Sequence, residues 1–392
     1  MKAGSLLAVA DDLTGAAELA AVGWRRGLDA EVHTETGLTP LAPLAVLDTD
    51  SRTREEGEAR ARSRAAGAWL AARCPDLVYK KVDSVLRGWV RAELEELLAS
   101  LGWDRAVLLP ANPGLGRVIR DGRYFVDGRP VHETDFARDP LHPIRSSEVL
   151  DMVGPEGATR IAVGRPGLAA LPEGITVGEA ESREDLLAWA SRVDRQLLAA
   201  GAAEFFDALL EARGLSWRPA PPAAPPGPSE RRLLVSGTTS ERSRRALGKA
   251  RERGVPVLPM PDALFRNRGD ATELVCRWAE AASAALDGSP TVVVAIDRPV
   301  SNDPADASRL EGLLADVVAS VLQRRAVSGV FAEGGATAAA VVRRLGWTRL
   351  TVLRELAPGV VTMHADGPQG RPLTLKPGSY AWPEAIWGTN VG

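Results

Sequence analysis

The sequence predicts an α/β protein of two domains, each a mostly parallel sheet flanked by helices. Three observations predict it. Short apolar runs of strand length alternate with amphipathic stretches of helix length through both halves of the chain. At 392 residues the chain is longer than one ordinary domain. Between the halves, Arg218 to Glu230 reads RPAPPAAPPGPSE, and its six prolines exclude helix and central strand. That stretch reads as an extended, semi-rigid linker. The predicted division is therefore 1–217, a linker at 218–229, and 230–392.

In the first half, Leu6–Ala10, Leu44–Leu47, Leu77–Val82 and Ala106–Leu109 are strand candidates, and Ile161–Val163 and Ile175–Val177 add two more. Ala16–Trp24, Arg54–Arg73 and Arg91–Leu101 carry helical patterns between them. Ser182 to Arg213 reads as helix throughout, opened by Ser182, Glu184 and Asp185 as cap and first-turn acids. The second half offers strands at Leu233–Val235, Val255–Leu258, Val292–Ile296, Val330–Ala332 and Leu350–Leu353. Helical patterns at Glu241–Arg253, Ala271–Leu286, Ala307–Arg325 and Ala336–Leu345 separate them. Pro110 to Pro143 has no periodicity. Its glycines, aromatics and paired charges favour an ordered functional loop.

Composition narrows the function. The chain is 45% apolar and 25% charged, with net charge −3, which predicts no bulk attraction to nucleic acid or to a membrane. No apolar run reaches the roughly 18 residues needed to span a bilayer, and Asp11-Asp12 interrupts the apolar start too early for a signal segment. Cys74 and Cys276 lie far apart and read as free thiols of a reducing compartment, and the four histidines form no zinc pattern. The expectation is a cytoplasmic protein acting on a small molecule, with a homo-oligomer left open. Ten tryptophans suit cores or an interface, core being the usual place.

Several motifs follow predicted strands. Asp11-Asp12-Leu13-Thr14-Gly15 leaves the first strand where a helix begins, the edge at which open α/β sheets bind ligands. Thr14 could cap the helix, and Gly15 could admit a ligand to the backbone. A plain N-cap cluster explains these five residues equally well. Lys80 to Gly88 (KKVDSVLRG) ends another strand, with Lys81 and Asp83 on one face and Lys80 on the other. Lys81, Asp83, Ser84 and Arg87 can converge there on a carboxylate or phosphate. Pro110 to Arg117 (PANPGLGR) supplies Asn112 and Arg117, but Ile119 stands where a dinucleotide fingerprint needs its third glycine. His132 to Asp135 and Arg138-Asp139-Pro140 add polar groups to the same loop. In the second half, Ser236 to Ser240 (SGTTS) and Glu333 to Ala338 (EGGATA) place small hydroxyls and glycines at helix starts, which suits phosphate binding or simple capping. Lys376 to Tyr380 (KPGSY) is a turn that could close over a ligand. No P-loop is present: Ala250 follows Gly248-Lys249, and Ser243 stands where its first glycine belongs. A haloacid-dehalogenase-like reading needs Asp at position 13, where Leu stands.

The ordered set DDLTGA, KKVDSVLRG, PANPGLGR and DGRYFVDGRPVHETDFARDPLHP, followed by SGTTS, EGGATA and LKPGSY, resembles the four-carbon acid sugar kinases over nearly the whole chain. The resemblance implies a sugar-acid-binding first domain, a nucleotide-binding second domain and an active site in the cleft between them. It implies phosphorylation of a hydroxyl of threonate, erythronate or oxo-tetronate with ATP and Mg²⁺. Asp11, Asp12, Asp83, Ser84 and Arg87, with Lys81 nearby, would face the acid, and Asn112 and Arg117 would share that pocket. Ser236, Gly334, Gly335, Ala336, Thr337 and Gly378 would hold the nucleotide. No residue stands out as metal ligand. Val85, Asn112, Glu333, Ala336 and Ala381 depart from the usual family residues.

Phosphoryl transfer needs a carboxylate to orient the hydroxyl and accept its proton, and a cation to clamp the substrate carboxylate. Asp12 is the expected base and Asp83 the second choice. Two other readings stand beside the kinase: a sugar-phosphate phosphatase, and a non-catalytic sugar-acid sensor on a kinase-like scaffold.

Overall fold

The structure, a computed structural model, describes residues 5–139, 142–154, 157–218, 230–238, 241–298, 304–367, 370–378 and 380–387. The proline-rich stretch from 219 onward, and Thr239, Ser240, Pro140 and Ser379 of the motifs above, lie outside the described residues. Two compact units divide the chain, Met1–Pro219 and Ala220–Gly392.

The first unit runs β1 (Leu6–Ala10), α1 (Leu13–Arg25), β2 (Ala30–His33), β3 (Leu44–Asp48), α2 (Glu56–Ala71), β4 (Leu77–Lys81), α3 (Val90–Leu101) and β5 (Arg105–Leu109). There follow β6 (Arg117–Arg120), β7 (Arg123–Val126), β8 (Arg129–Pro130), α4 (Val149–Val153), β9 (Ile161–Gly164), β10 (Gly174–Gly178), α5 (Arg183–Ala190), β11 (Leu197–Gly201) and α6 (Ala203–Ala212). Its sheet has the order β2-β3-β1-β4-β11-β5-β10-β9, and these pairs are all parallel. Every residue of β1, β3 and β4 is buried, as a parallel sheet covered on both faces requires. The chain leaves β1 for β2 and β3 on one side and returns to β4 on the other, so the strand order reverses at β1 and β4. Such a switch point opens a crevice beyond the carboxyl ends of the strands.

The second unit runs β12 (Arg232–Ser236), α7 (Glu241–Glu252), β13 (Val257–Pro259), α8 (Asp262–Arg266), α9 (Thr272–Gly288), β14 (Thr291–Ala295) and α10 (Pro304–Arg324). It continues through β15 (Gly329–Glu333), α11 (Gly335–Leu345), β16 (Arg349–Ala357), β17 (Val360–Ala365) and β18 (Pro372–Lys376). Parallel pairs give the order β13-β14-β12-β15-β18, and antiparallel pairs extend it through β17 to β16. A second switch point falls between β12 and β15.

Three features depart from the expected elements. Ser182 to Arg213 is not one helix: α5 ends at Ala190, β11 follows, and α6 begins at Ala203. The wholly buried run Leu197–Gly201 fills the gap between β4 and β5, and tertiary pairing overrides its helical composition. Asp12, not Thr14, caps α1, accepting the Gly15 N–H at 2.9 Å, while Thr14 donates its hydroxyl to the same carboxylate. Strands β2, β17 and β18 also appear where none was expected. Ser182 and Asp185 do form a reciprocal capping box on α5. Within Pro110–Pro143, β6, β7 and β8 make a small antiparallel sheet. Most tryptophans described are in the cores, including Trp69, Trp189, Trp278, Trp347, Trp382 and Trp387.

Candidate functional site

The first candidate site lies at the β1/β4 switch point. Asp11 and Asp12 follow β1, Asp83 to Arg87 follow β4, and Asn112 follows β5. The turn after β3 delivers Arg52, which joins the motifs. Its Nε and Nη2 donate to the two oxygens of Asp11 at 2.7 Å each, and Nη2 also reaches Asp12 at 2.9 Å. Arg87 repeats this fork on Asp83, at 2.9 and 2.8 Å, and extends Nη1 to Asp139 at 2.8 Å. Asp83 also accepts the backbone N–H groups of Val85 and Arg87 at 3.2 Å, which fixes the tight turn after β4.

Charge states follow from this pairing. Burial pushes the Asp11 carboxyl upward, but the Arg52 guanidinium, helped by Lys80 and Lys81, holds it below the usual range. Burial opposes ionisation of Asp83 too, and Arg87, Arg52 and Lys81 prevail, leaving it far below an ordinary aspartate. Asp48 goes the other way: burial raises it well above the usual range, and Asp50 adds to the effect. The two lysines do project to opposite faces. Lys80 is buried against Glu93 at 2.6 Å, whereas Lys81 lies 3.3 Å from Glu18 of α1 and donates to the Val82 carbonyl at 3.1 Å. The space beside Gly15 is already taken, since a Cβ there would meet Asp12 Oδ1 at 2.7 Å and Lys81 Cγ at 3.3 Å.

The loop after β5 closes one side of this pocket. Asn112 and Arg117 exchange backbone hydrogen bonds, 2.8 Å to the Arg117 carbonyl and 3.1 Å to that of Asn112, so Arg117 starts β6 beside the pocket. Its Nη1 donates to the Ser84 hydroxyl. Tyr124 donates to the Ser84 carbonyl, which fixes that turn from β7. The Phe136 ring lies close to two guanidinium groups, 5.6 Å from Arg87 and 5.4 Å from Arg117. His142 Nε2 donates to the Arg52 carbonyl at 2.7 Å and tethers the far end of the loop.

The second candidate site lies at the β12/β15 switch point. Ser236, Glu333 and Lys376 end three neighbouring strands in register, and Gly237, Gly334 and Gly378 stand at or just beyond those ends. These glycines make a shelf. A Cβ at Gly237 would lie 2.1 Å from Thr337 Oγ1, so no larger residue fits. Gly334 caps α11 with φ 94°, a conformation that favours glycine, and Gly335, Ala336 and Thr337 form the first turn of that helix. Its N-terminal N–H groups suit an anion. Gly378 lies close to Thr238, 3.6 Å from its hydroxyl when a Cβ is placed there.

Beneath the shelf is a buried polar cluster. Lys376 Nζ pairs with Glu333 at 2.6 Å, and Glu333 also accepts from Ser243 at 2.6 Å and Ser236 at 3.0 Å. The Ser236 side chain is thus directed to Glu333, inside the unit. Burial lowers the Lys376 ammonium below an ordinary lysine, with Glu333 opposing the shift.

Arg52, Phe136 and the Glu333–Lys376 pair were not among the expected site residues. The polar run Asp48-Thr49-Asp50-Ser51-Arg52 after an apolar strand was the available signal for Arg52. Phe136 carries no such local signature, and Glu333 and Lys376 each open a motif noted above without any local sign that they pair.

Comparison with known proteins agrees with this division. A family profile described as a sugar-binding N-terminal domain matches residues 6–209, and one described as a nucleotide-binding C-terminal domain matches 233–380. The chain is 30% identical to a D-threonate kinase of Cupriavidus necator, over 98% of this chain and 96% of that protein. It is 28% identical to a D-threonate kinase of Salmonella typhimurium, covering 90% and 89% of the two. A 3-oxo-tetronate kinase of Methylobacterium radiotolerans is 29% identical, with 95% of each covered. A crystal structure from Salmonella typhimurium LT2 shares the fold at TM-score 0.81 and 20% identity, over 98% of both chains. With both domain profiles matched in order along its length, this chain belongs to the four-carbon acid sugar kinase family.

Proposed function

We propose that the protein transfers the γ-phosphoryl group of ATP to a hydroxyl of a four-carbon sugar acid of the threonate, erythronate or 3-oxo-tetronate type. One observation carries this reading above the others. A single chain holds a pocket of forked Arg–Asp pairs at one switch point and a glycine shelf on a helix N-terminus at another. The first suits a small hydroxylated anion and the second a polyphosphate. The phosphatase reading leaves the glycine shelf idle, and the sensor reading differs in predicting ligand binding without ADP release.

Asp12 is the general base in this reading. Both oxygens of Asp11 and both of Asp83 lie against a guanidinium fork. Asp12 has the most open side chain of the three, 20% exposed against 4% for Asp11 and 9% for Asp83. A hydroxyl can therefore reach it while Arg52 and the start of α1 hold it in place. The Gly334 N–H is given to the Lys376 carbonyl at 3.0 Å, so Gly334 shapes the turn while Gly335 to Thr337 and Gly378 hold the phosphates through backbone N–H groups, and the Ser236 side chain acts through Glu333.

A divalent ion such as Mg²⁺ would be held with the nucleotide phosphates. The ion keeps several waters and is usually held by one or two carboxylates plus phosphates. Among the described residues no three His, Cys, Asp or Glu side chains are grouped to hold a metal. When bound, it neutralises charge on the phosphates. Among the described residues no helix is long and apolar enough to cross a membrane. Two free thiols and a need for ATP suit the cytoplasm.

A coupled ADP-release screen over four- and five-carbon aldonic acids, with and without Mg²⁺, tests the proposal. The expected result is release that requires both Mg²⁺ and a four-carbon acid. Binding of an acid without any ADP release would favour the sensor. Hydrolysis of a sugar phosphate without nucleotide would favour the phosphatase.

A further inference from the structure

Several cations near the candidate sugar-acid site already hold a carboxylate. Arg52 holds Asp11 and Asp12, Arg87 holds Asp83 and Asp139, Lys81 lies against Glu18, and Lys80 against Glu93. Arg117 differs. Its Nη1 meets the Ser84 hydroxyl, its Cζ lies 5.4 Å from the centre of the Phe136 ring, and it forms no ion pair among the described residues. Arg52 and Arg87 each use the Nε–Nη2 edge to grip a carboxylate. On Arg117 the same edge has no partner among the described residues, and its Nε is buried. A buried N–H left without an acceptor is destabilising, so the site gains when an acceptor arrives.

Resting on the kinase reading above, we infer that Arg117 is the specificity-determining residue that takes the substrate carboxylate, edge-on through Nε and Nη2. Three contacts pre-orient the group. The Asn112–Arg117 backbone pair fixes its Cα, Ser84 fixes one end of the guanidinium, and the Phe136 ring flanks it at 5.4 Å. A planar fork held this way matches a carboxylate in two parallel hydrogen bonds, whereas a neutral sugar would leave the edge unsatisfied. The other two guanidinium groups position the aspartates. Discrimination of acids from neutral sugars therefore rests on Arg117.

The test is equilibrium titration of the full chain, without nucleotide, against D-threonate, D-erythronate and the neutral amides of both. Wild type is expected to prefer acid over amide, and Arg117→Met to lose that preference, its affinity for the acid falling by about 100-fold. Arg117→Lys keeps the charge without the fork and should recover only part of the preference. Should Arg117→Met fold poorly, as judged by circular dichroism, Arg117→Lys decides by the same ratio. A wild-type preference in either folded variant overturns the inference, as does a wild-type chain that binds none of the acids. Because the titration uses no ATP, an intact Arg117 effect without ADP release would contradict the kinase reading alone.

Discussion

Glu333→Gln is expected to destabilise the second unit by about 3–5 kcal/mol, because it leaves the Lys376 ammonium buried without its countercharge. Both side chains are almost fully buried, at 3% and 1% exposure, so water cannot replace the lost partner. The same change removes a negative acceptor from Ser236 and Ser243. Unfolding of the full chain in urea should show the second unit's transition at much lower denaturant, with that of the first unit unmoved. A double variant, Glu333→Gln with Lys376→Met, should recover much of the loss, since neither charge is then stranded. If the single variant unfolds like wild type, the pair is not what joins β12, β15 and β18 beneath the shelf.

Asp12→Asn is expected to lower kcat by about 10²-fold or more, the usual scale for removal of a general base. The substitution separates chemistry from folding. Asparagine is as good an N-cap as aspartate, so α1 should keep its start and the thermal midpoint should stay close to that of wild type. ATP binding should also persist, because the glycine shelf belongs to the other unit. Near-normal kcat in a folded Asp12→Asn chain would remove Asp12 from the role and turn attention to Asp83.

Much of this arrangement was legible in the sequence. Buried parallel strands are continuous apolar runs, so β1, β3, β4, β5, β12, β14 and β15 stand out, and the polar motifs behind them fall at the ligand edge. Composition misleads at Leu197–Gly201, whose Leu and Ala content suits a helix. Its strand state depends on β4 and β5 on either side, which no local window contains. Strands β17 and β18 are short, mix Thr and His with apolar residues, and belong to the antiparallel side of their sheet. Arg52 was hidden for a related reason. Its partners lie about forty positions earlier, and only the β3–β1 pairing brings the two turns together. Glu333 and Lys376 are likewise joined by strand register alone.

The most direct test is phosphorus NMR of the product formed from ATP, Mg²⁺ and D-threonate, D-erythronate or 3-oxo-tetronate. A new phosphate-monoester resonance that grows in step with ADP, and only when a four-carbon acid is present, is the expected result. ADP accompanied by inorganic phosphate alone, or no turnover with any of the three acids, would contradict the account.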